Sequence, residues 1–93
     1  MFITIVGVEN YIGTESLVIG QELFLKKEPD NRHDDESIKV VTDSGATCGH
    51  VANSVNTVAR GSHSAGYAYC SIKEQQKCKV KFIVQDSVIA ELI

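Results

Sequence analysis

The side chains best suited to chemistry lie between Leu25 and Val40, a stretch that reads LKKEPDNRHDDESIKV. It contains the only proline, Pro29, followed by a dense run of charged and amide side chains. Asp and Asn in turns often accept hydrogen bonds from nearby backbone amides, so each residue alone has a structural explanation. Together they exceed what a short connection requires, which indicates a loop that contacts a ligand.

Two further kinds of chemistry are conceivable for this loop and its surroundings. Carboxylates and imidazoles can bind metal ions, but the spacing of the acidic residues with His33 and His50 does not require a metal. Cys48 and His50 are two residues apart on a presumed strand and so share a face, which is weak evidence for a thiol nucleophile. No Gly-rich phosphate loop or nucleophile elbow is present. We therefore predict no metal, no cofactor and no catalysis.

The elements that must position these residues are mostly strands. Alternating or β-branched apolar residues predict strands at Met1–Val8, Glu22–Lys27, Ile38–Thr42, Ala46–Val51, Lys77–Val84 and Val88–Ile93. Short strands at this spacing in a small chain predict a mainly β fold, a six-stranded barrel with one or two short helices. The predicted core residues are Ile5, Leu23, Leu25, Ile38, Val40, Val80 and Phe82.

Two segments carry weaker patterns. Asn53 or Ser54 is a suitable cap for a short helix near 54–60, which Gly61 would end. Alternation over residues 67–70 favours a strand.

A stripe of lysines at 77, 79 and 81 is most simply the solvated side of a strand, although it could also bind phosphate.

Composition limits the class of protein. The 93 residues make one domain, 1–93, and 43% hydrophobic with 23% charged residues is typical of a globular fold. A net charge of −3 argues against broad duplex binding through phosphate neutralisation. Three cysteines without CxxC spacing indicate reduced thiols, and hence the cytoplasm. No apolar run approaches the length of a membrane span.

Three motifs carry a resemblance to a known family. They are VGxxxYxG from Val6, LxxEPxNxxDxxxIKV from Leu25 and GxxxGH from Gly45. This pattern, over about residues 5–60, resembles the HIRAN domain. The resemblance implies an OB-like barrel that binds DNA, and in one version of the domain the ligand is the 3′-hydroxyl end of single-stranded DNA.

The resemblance also implies the site residues. Asp34 matches a carboxylate that accepts a hydrogen bond from the terminal hydroxyl, and Tyr11 matches an aromatic ring that stacks on a base. The expected nucleic-acid-binding residues are Tyr11, Asn31, Arg32, His33, Asp34 and His50, with Lys26 and Lys27 adding local positive charge. Asn10 and His33 stand where the end-binding version has aromatic residues, and each lost stack is worth about 1–3 kcal/mol.

Two functions follow as alternatives. The first is a module for single-stranded DNA or a DNA 3′ end, working in DNA repair with a helicase or nuclease as partner. The second is a protein-interaction module that has lost DNA-end binding and uses a strand edge or residues 61–75. The negative charge and the missing aromatic residues favour the second, while the matched motifs favour the first.

Overall fold

The strands of the chain close into an antiparallel barrel. The computed structural model describes residues 1–32 and 34–93. The six strands run in the spatial order β1-β4-β3-β2-β5-β6, and β6 pairs with β1 to close the barrel. Their bounds are β1 (Phe2–Val6), β2 (Glu22–Lys27), β3 (Ile38–Val41), β4 (Thr47–Val51), β5 (Gln76–Val84) and β6 (Ser87–Leu92). The prediction of a mainly β, six-stranded barrel is confirmed.

The core is built from the inward-facing residues of these strands. β2 shows the period of two that a half-buried strand requires, with Leu23 and Leu25 buried and their neighbours more exposed. Six of the seven predicted core residues are buried, namely Ile5, Leu23, Leu25, Ile38, Val40 and Val80. Because the β-branched and leucine side chains come from all sides, the barrel interior is filled by side chains.

Phe82 is the core prediction that was wrong, because its side chain is 58% exposed. The pairing of β5 with β6 shifts between Val80, which faces Ala90, and Phe82, which faces Ile89. This bulge places one extra residue in β5 and reverses the alternation that follows it. Ile83 therefore packs against the core in the place expected for Phe82.

The predicted helix near 54–60 is also wrong, because these residues form turns. The Thr4 hydroxyl accepts a hydrogen bond from the Ala59 amide at 3.0 Å and lies 2.7 Å from the Ser62 hydroxyl. A backbone donor that bonds to a distant strand is not available to a helix. Tertiary contacts to β1 therefore determine the conformation of this segment.

The helix α1 lies instead at Ala65–Tyr69, where a strand was favoured. Ser64 caps it by accepting a hydrogen bond from the Tyr67 amide at 3.2 Å. Ala65 and Ala68 are buried, which is the spacing of one helical face. The alternation of residues 67–70, which favoured a strand, therefore belongs to the end of this helix and the residue that follows it.

Closure of the barrel brings the two ends of the chain side by side. The Leu92 amide donates a hydrogen bond to the Met1 carbonyl at 2.9 Å. Across residues 1–32 and 34–93, no helix is long and apolar enough to cross a membrane.

Candidate nucleic-acid interface

Tyr11 is presented by a short loop that follows β1. Gly7 adopts a φ of +74°, a left-handed conformation that glycine favours, and turns the chain into a 3₁₀ turn over Val8–Asn10. The carboxylate of Glu9 accepts hydrogen bonds from the amide and hydroxyl of Thr14 at 2.8 and 3.0 Å. These bonds hold the loop and lower the pKa of Glu9 below its ordinary value. The Tyr11 side chain is 50% exposed.

His50 faces Tyr11 from β4. A Cβ at the preceding residue, Gly49, would lie 2.7 Å from the Val6 carbonyl oxygen, so β4 approaches β1 this closely only with glycine there. The two ring centroids of Tyr11 and His50 are 6.0 Å apart, with the planes tilted by 50°. The pair therefore offers two ring surfaces on one rim of the barrel.

Glu28 fixes the orientation of the His50 ring. Its Oε1 lies 3.1 Å from the Nε2 of His50 and accepts a hydrogen bond from the Ser37 hydroxyl at 2.7 Å. The Glu28 amide also donates to the Ser37 carbonyl at 2.8 Å, which closes the base of the polar loop. One carboxylate thus connects the loop to β4.

Asn31 and Asp34 are paired within the loop. The Asn31 side-chain oxygen accepts a hydrogen bond from the Asp34 amide at 3.2 Å, and the Asn31 amide donates to the Glu28 carbonyl at 3.1 Å. Asp34 in turn accepts from the Glu36 amide through Oδ1 at 2.9 Å. Local side-chain bonds of this kind give the loop a defined turn.

Asn53 connects the polar loop to α1. Its side-chain nitrogen donates to Asp34 Oδ2 at 3.5 Å and to Glu36 Oε1 at 3.4 Å. Its side-chain oxygen accepts a shorter bond, 2.8 Å, from the Gly66 amide. A Cβ at Gly66 would lie 2.8 Å from Glu36 Oε1, so the loop and helix pack closely here. The second carboxylate oxygen of Asp34 therefore faces a hydrogen-bond donor.

Comparison with known proteins places this barrel in a family. The model of the HIRAN domain matches residues 1–85. The chain belongs to the HIRAN domain family. Membership implies a DNA-binding module, and HIRAN domains are binding modules.

Two solved structures resemble this HIRAN domain. The HIRAN domain of human HLTF superposes with a TM-score of 0.71 at 20% identity, covering 99% of this chain and 71% of that chain. A protein from Lactobacillus plantarum gives a TM-score of 0.67 at 20% identity, covering 98% and 87%. At this identity the likeness shows the fold alone. A search of curated proteins by sequence finds no match.

The structure connects four of the predicted site residues of the HIRAN domain. Tyr11 lies beside His50, and Asn31 is bonded to Asp34. Glu28 joins the two pairs through its side chain and its carbonyl. Arg32 is exposed in the same loop. His33 lies outside the described residues.

Two residues around the site were not predicted to belong to it. Glu28 stands in the matched motif beside Pro29 and was treated only as part of the pattern. Asn53 was considered only as a possible helix cap. Both bridge segments that are far apart in sequence, by 22 residues from Glu28 to His50 and by 19 from Asp34 to Asn53. The motif was the only available signal for Glu28, and we find none for Asn53.

The pairing of Cys48 with His50 does not form a nucleophile in this HIRAN domain. Cys48 is buried and its thiol donates to the Val40 carbonyl at 3.3 Å. Burial raises the pKa of Cys48 to about 11, which disfavours the reactive thiolate.

Lys27, expected to supply positive charge, places its Nζ over the Tyr69 ring at 4.7 Å from the centroid.

Proposed function

We propose that this HIRAN domain binds single-stranded DNA at a free 3′-hydroxyl end and performs no catalysis of its own. The observation that carries the proposal is the connection of the Tyr11–His50 pair to the Asn31–Asp34 pair through one residue, Glu28. Its carboxylate contacts His50 and its backbone carbonyl accepts from the Asn31 amide. This arrangement links a hydrogen-bond acceptor for a sugar hydroxyl, through Glu28 and Asn31, to two ring surfaces for a base. A DNA end carries both groups.

The roles follow from the chemistry of each side chain. Asp34 accepts a hydrogen bond from the terminal hydroxyl, and its negative charge repels a terminal phosphate. Tyr11 provides a ring face for the terminal base. His50 donates to a phosphate oxygen through a ring nitrogen, while Asn31 and the exposed Arg32 contact the sugar and the backbone.

A role for His33 in stacking rests on the sequence alone. Asn10 is exposed and supplies no ring. With fewer stacked bases than the end-binding version of the domain, the affinity is expected to be micromolar or weaker, because each stack contributes about 1–3 kcal/mol.

The decisive experiment compares short single-stranded oligonucleotides that end in a 3′-hydroxyl or a 3′-phosphate. Wild-type protein should prefer the hydroxyl end by about tenfold or more, the value of a charge-assisted hydrogen bond of roughly 1.5–3 kcal/mol. Asp34→Asn removes the charge but keeps an oxygen that can accept from the Glu36 amide. This variant should lose most of the preference.

Asp35→Asn is the matched control, since Asp35 is exposed and the substitution changes the net charge by the same one unit. It should retain the preference of the wild type. Absence of binding at low salt, or an unchanged preference in Asp34→Asn, would reject DNA-end recognition.

A protein-interaction module is the second candidate, and one observation favours it. Phe82 and Val84 are exposed on the outer face of β5, and a groove of about 320 Å³ is lined by Phe2, Phe82 and Ile89 among others. The closed barrel leaves none of its six strands with an unpaired edge. A partner would therefore have to bind through side chains and not by adding a strand.

In cells, the proposed module would deliver a DNA end to a helicase or nuclease in DNA repair. The assignment to the cytoplasm rests on the three free thiols, two of which are buried. A pull-down with 3′-hydroxyl oligonucleotides as bait would identify such a partner.

A further inference from the structure

Three basic side chains lie in register across neighbouring strands of the barrel. Lys26 on β2 is the direct partner of Lys39 on β3, and Lys39 is the direct partner of His50 on β4. Direct partners in a sheet project from the same face. Their chain neighbours Leu25 and Val40 are buried, so this row, the β2–β4 ladder, faces outward.

The ladder is unfavourable for the folded protein taken alone. Like charges placed directly opposite each other in a sheet are destabilising. Among the described residues, no carboxylate lies within 4.0 Å of the Nζ of Lys26 or Lys39, and the acidic contact in the row is that of Glu28 with His50. In a chain with a net charge of −3, unpaired neighbouring lysines are not explained by composition.

Lys79 on β5 is a lysine of the same barrel whose cross-strand partners are acidic. Its direct partners are Glu22 on β2 and Glu91 on β6, so it lies between two carboxylates. Lys77 and Lys81 on the same strand form ion pairs with these two residues at 3.8 and 3.6 Å. Among the described residues Lys79 itself forms no ion pair within 4.0 Å, so the difference lies in the cross-strand partners, which are acidic for Lys79 and basic for Lys39.

From this difference we infer that the β2–β4 ladder binds the phosphate backbone of the single strand whose 3′ end occupies the proposed site. The inference rests on the proposed function and extends it from the terminal nucleotide to those on its 5′ side. His50 belongs to both, because it is the last member of the ladder and lies beside Tyr11. The backbone therefore leaves the end site toward Lys39 and then Lys26.

The length of the ladder fits this ligand. Three neighbouring strands span two spacings, or about 10 Å. That distance is about three nucleotides at the 3.4 Å rise of a stacked strand. A single phosphate would need only one of the two lysines, so the row is suited to a chain of phosphates.

The test compares 5′-fluorescein-labelled oligothymidylates of two and eight nucleotides, both with a 3′-hydroxyl, at 20–200 mM NaCl. The eight-nucleotide probe should bind more tightly and show a steeper dependence on salt. Lys39→Gln should lower its salt slope by about 0.7, the value of one phosphate contact on a single strand, and weaken its binding about fivefold at low salt. Binding of the two-nucleotide probe should change little.

Lys79→Gln is the matched control, because Lys79 has the same intermediate exposure as Lys39 and the substitution changes the net charge equally. It should leave the salt slope of the eight-nucleotide probe unchanged. Equal effects of the two substitutions would mean that only net charge matters, and the inference would be overturned. It would also be overturned if both probes bound equally well.

The outcomes separate the inference from the proposed function. Preference for a 3′-hydroxyl without any gain from length would reject the ladder and keep the end site. A gain from length that depends on Lys39, without preference for the 3′-hydroxyl, would reject the end site and keep the ladder as a contact for internal phosphates. Failure of both probes to bind would reject both.

Discussion

Two faces of this barrel carry lysines, and they differ in what surrounds the charge. On β5, Lys79 lies between Glu22 and Glu91 in the sheet. On β3, Lys39 lies between Lys26 and His50. Both side chains are partly exposed and both lie on the outer surface.

This difference teaches that a row of lysines in a sequence does not by itself indicate a binding surface. The cross-strand partners of the lysines must also be known. The stripe at 77, 79 and 81 is the conspicuous pattern, yet Lys77 and Lys81 form ion pairs and Lys79 has acidic partners across the sheet. The ladder joins residues that are 13 and 11 positions apart, as the pairs Lys26–Lys39 and Lys39–His50 show. Adjacent positive charges destabilise the fold, and binding of a negatively charged ligand would explain why they are present.

The largest effect is expected from the core that both faces share. Leu25 is fully buried beside Lys26, and Leu25→Ala should lower the free energy of unfolding by about 2–5 kcal/mol. Urea denaturation followed by circular dichroism measures the change.

Phe82→Ala serves as the control on the other face. Because this ring is mostly exposed, we expect a loss below about 1 kcal/mol. A larger loss would mean that Phe82 packs inward in solution, which would remove the bulge from β5.

A second prediction uses one natural thiol beneath each face. Cys48 on β4 and Cys78 on β5 are buried, while Cys70 is exposed. Burial raises the pKa of Cys48 to about 11 and that of Cys78 to about 12, with the nearby Cys48 thiol adding to the second shift. At pH 8 a thiol-specific reagent should modify Cys70 at least roughly a hundredfold faster than either. Faster modification of Cys48 alone would show that the ladder face opens.

The same shifts determine how stability depends on pH. A thiol whose pKa is higher in the folded state contributes its full stability below the unfolded pKa, near 9. That contribution is lost as the pH rises through about 11 for Cys48 and about 12 for Cys78. The urea concentration at the midpoint of unfolding should therefore decrease above pH 9. The decrease should be smaller in Cys48→Ala.

The smallest effect tests the comparison directly through stability. Lys39→Gln removes repulsion between like charges and should stabilise the fold by about 0.2–1 kcal/mol at low salt. Lys79→Gln removes attraction to Glu22 and Glu91 and should destabilise it by a similar amount. Both differences should shrink in 0.5 M NaCl, where charges are screened. Shifts of the same sign in the two variants would contradict our description of the faces.

The strands could be predicted from the sequence because their apolar residues alternate locally. Leu23 and Leu25 mark the inner face of β2 without any knowledge of its neighbours. Phe82 was misplaced because a bulge depends on the partner strand and leaves no local sign. The turns near 54–60 depend on Thr4, a residue 55 positions away from Ala59.

Residues of the candidate site could be named from the sequence where a motif marks them, but not where a contact between distant segments does. Asp34 and Tyr11 were expected through the resemblance. Asn53 could not be expected, because its contacts with Asp34 and Gly66 exist only once the loop, β4 and α1 are assembled. The ladder could not be predicted for the same reason, since the register across three strands is a property of the closed barrel.

The hydrogen bond between the Leu92 amide and the Met1 carbonyl holds these two residues side by side. A polypeptide that entered and left the barrel would do so through these two neighbouring residues. Such a unit could be placed within a surface loop of a host protein while separating the two ends of that loop very little. Neighbouring chain ends of this kind are the arrangement in which insertion of one domain into another is commonly tolerated.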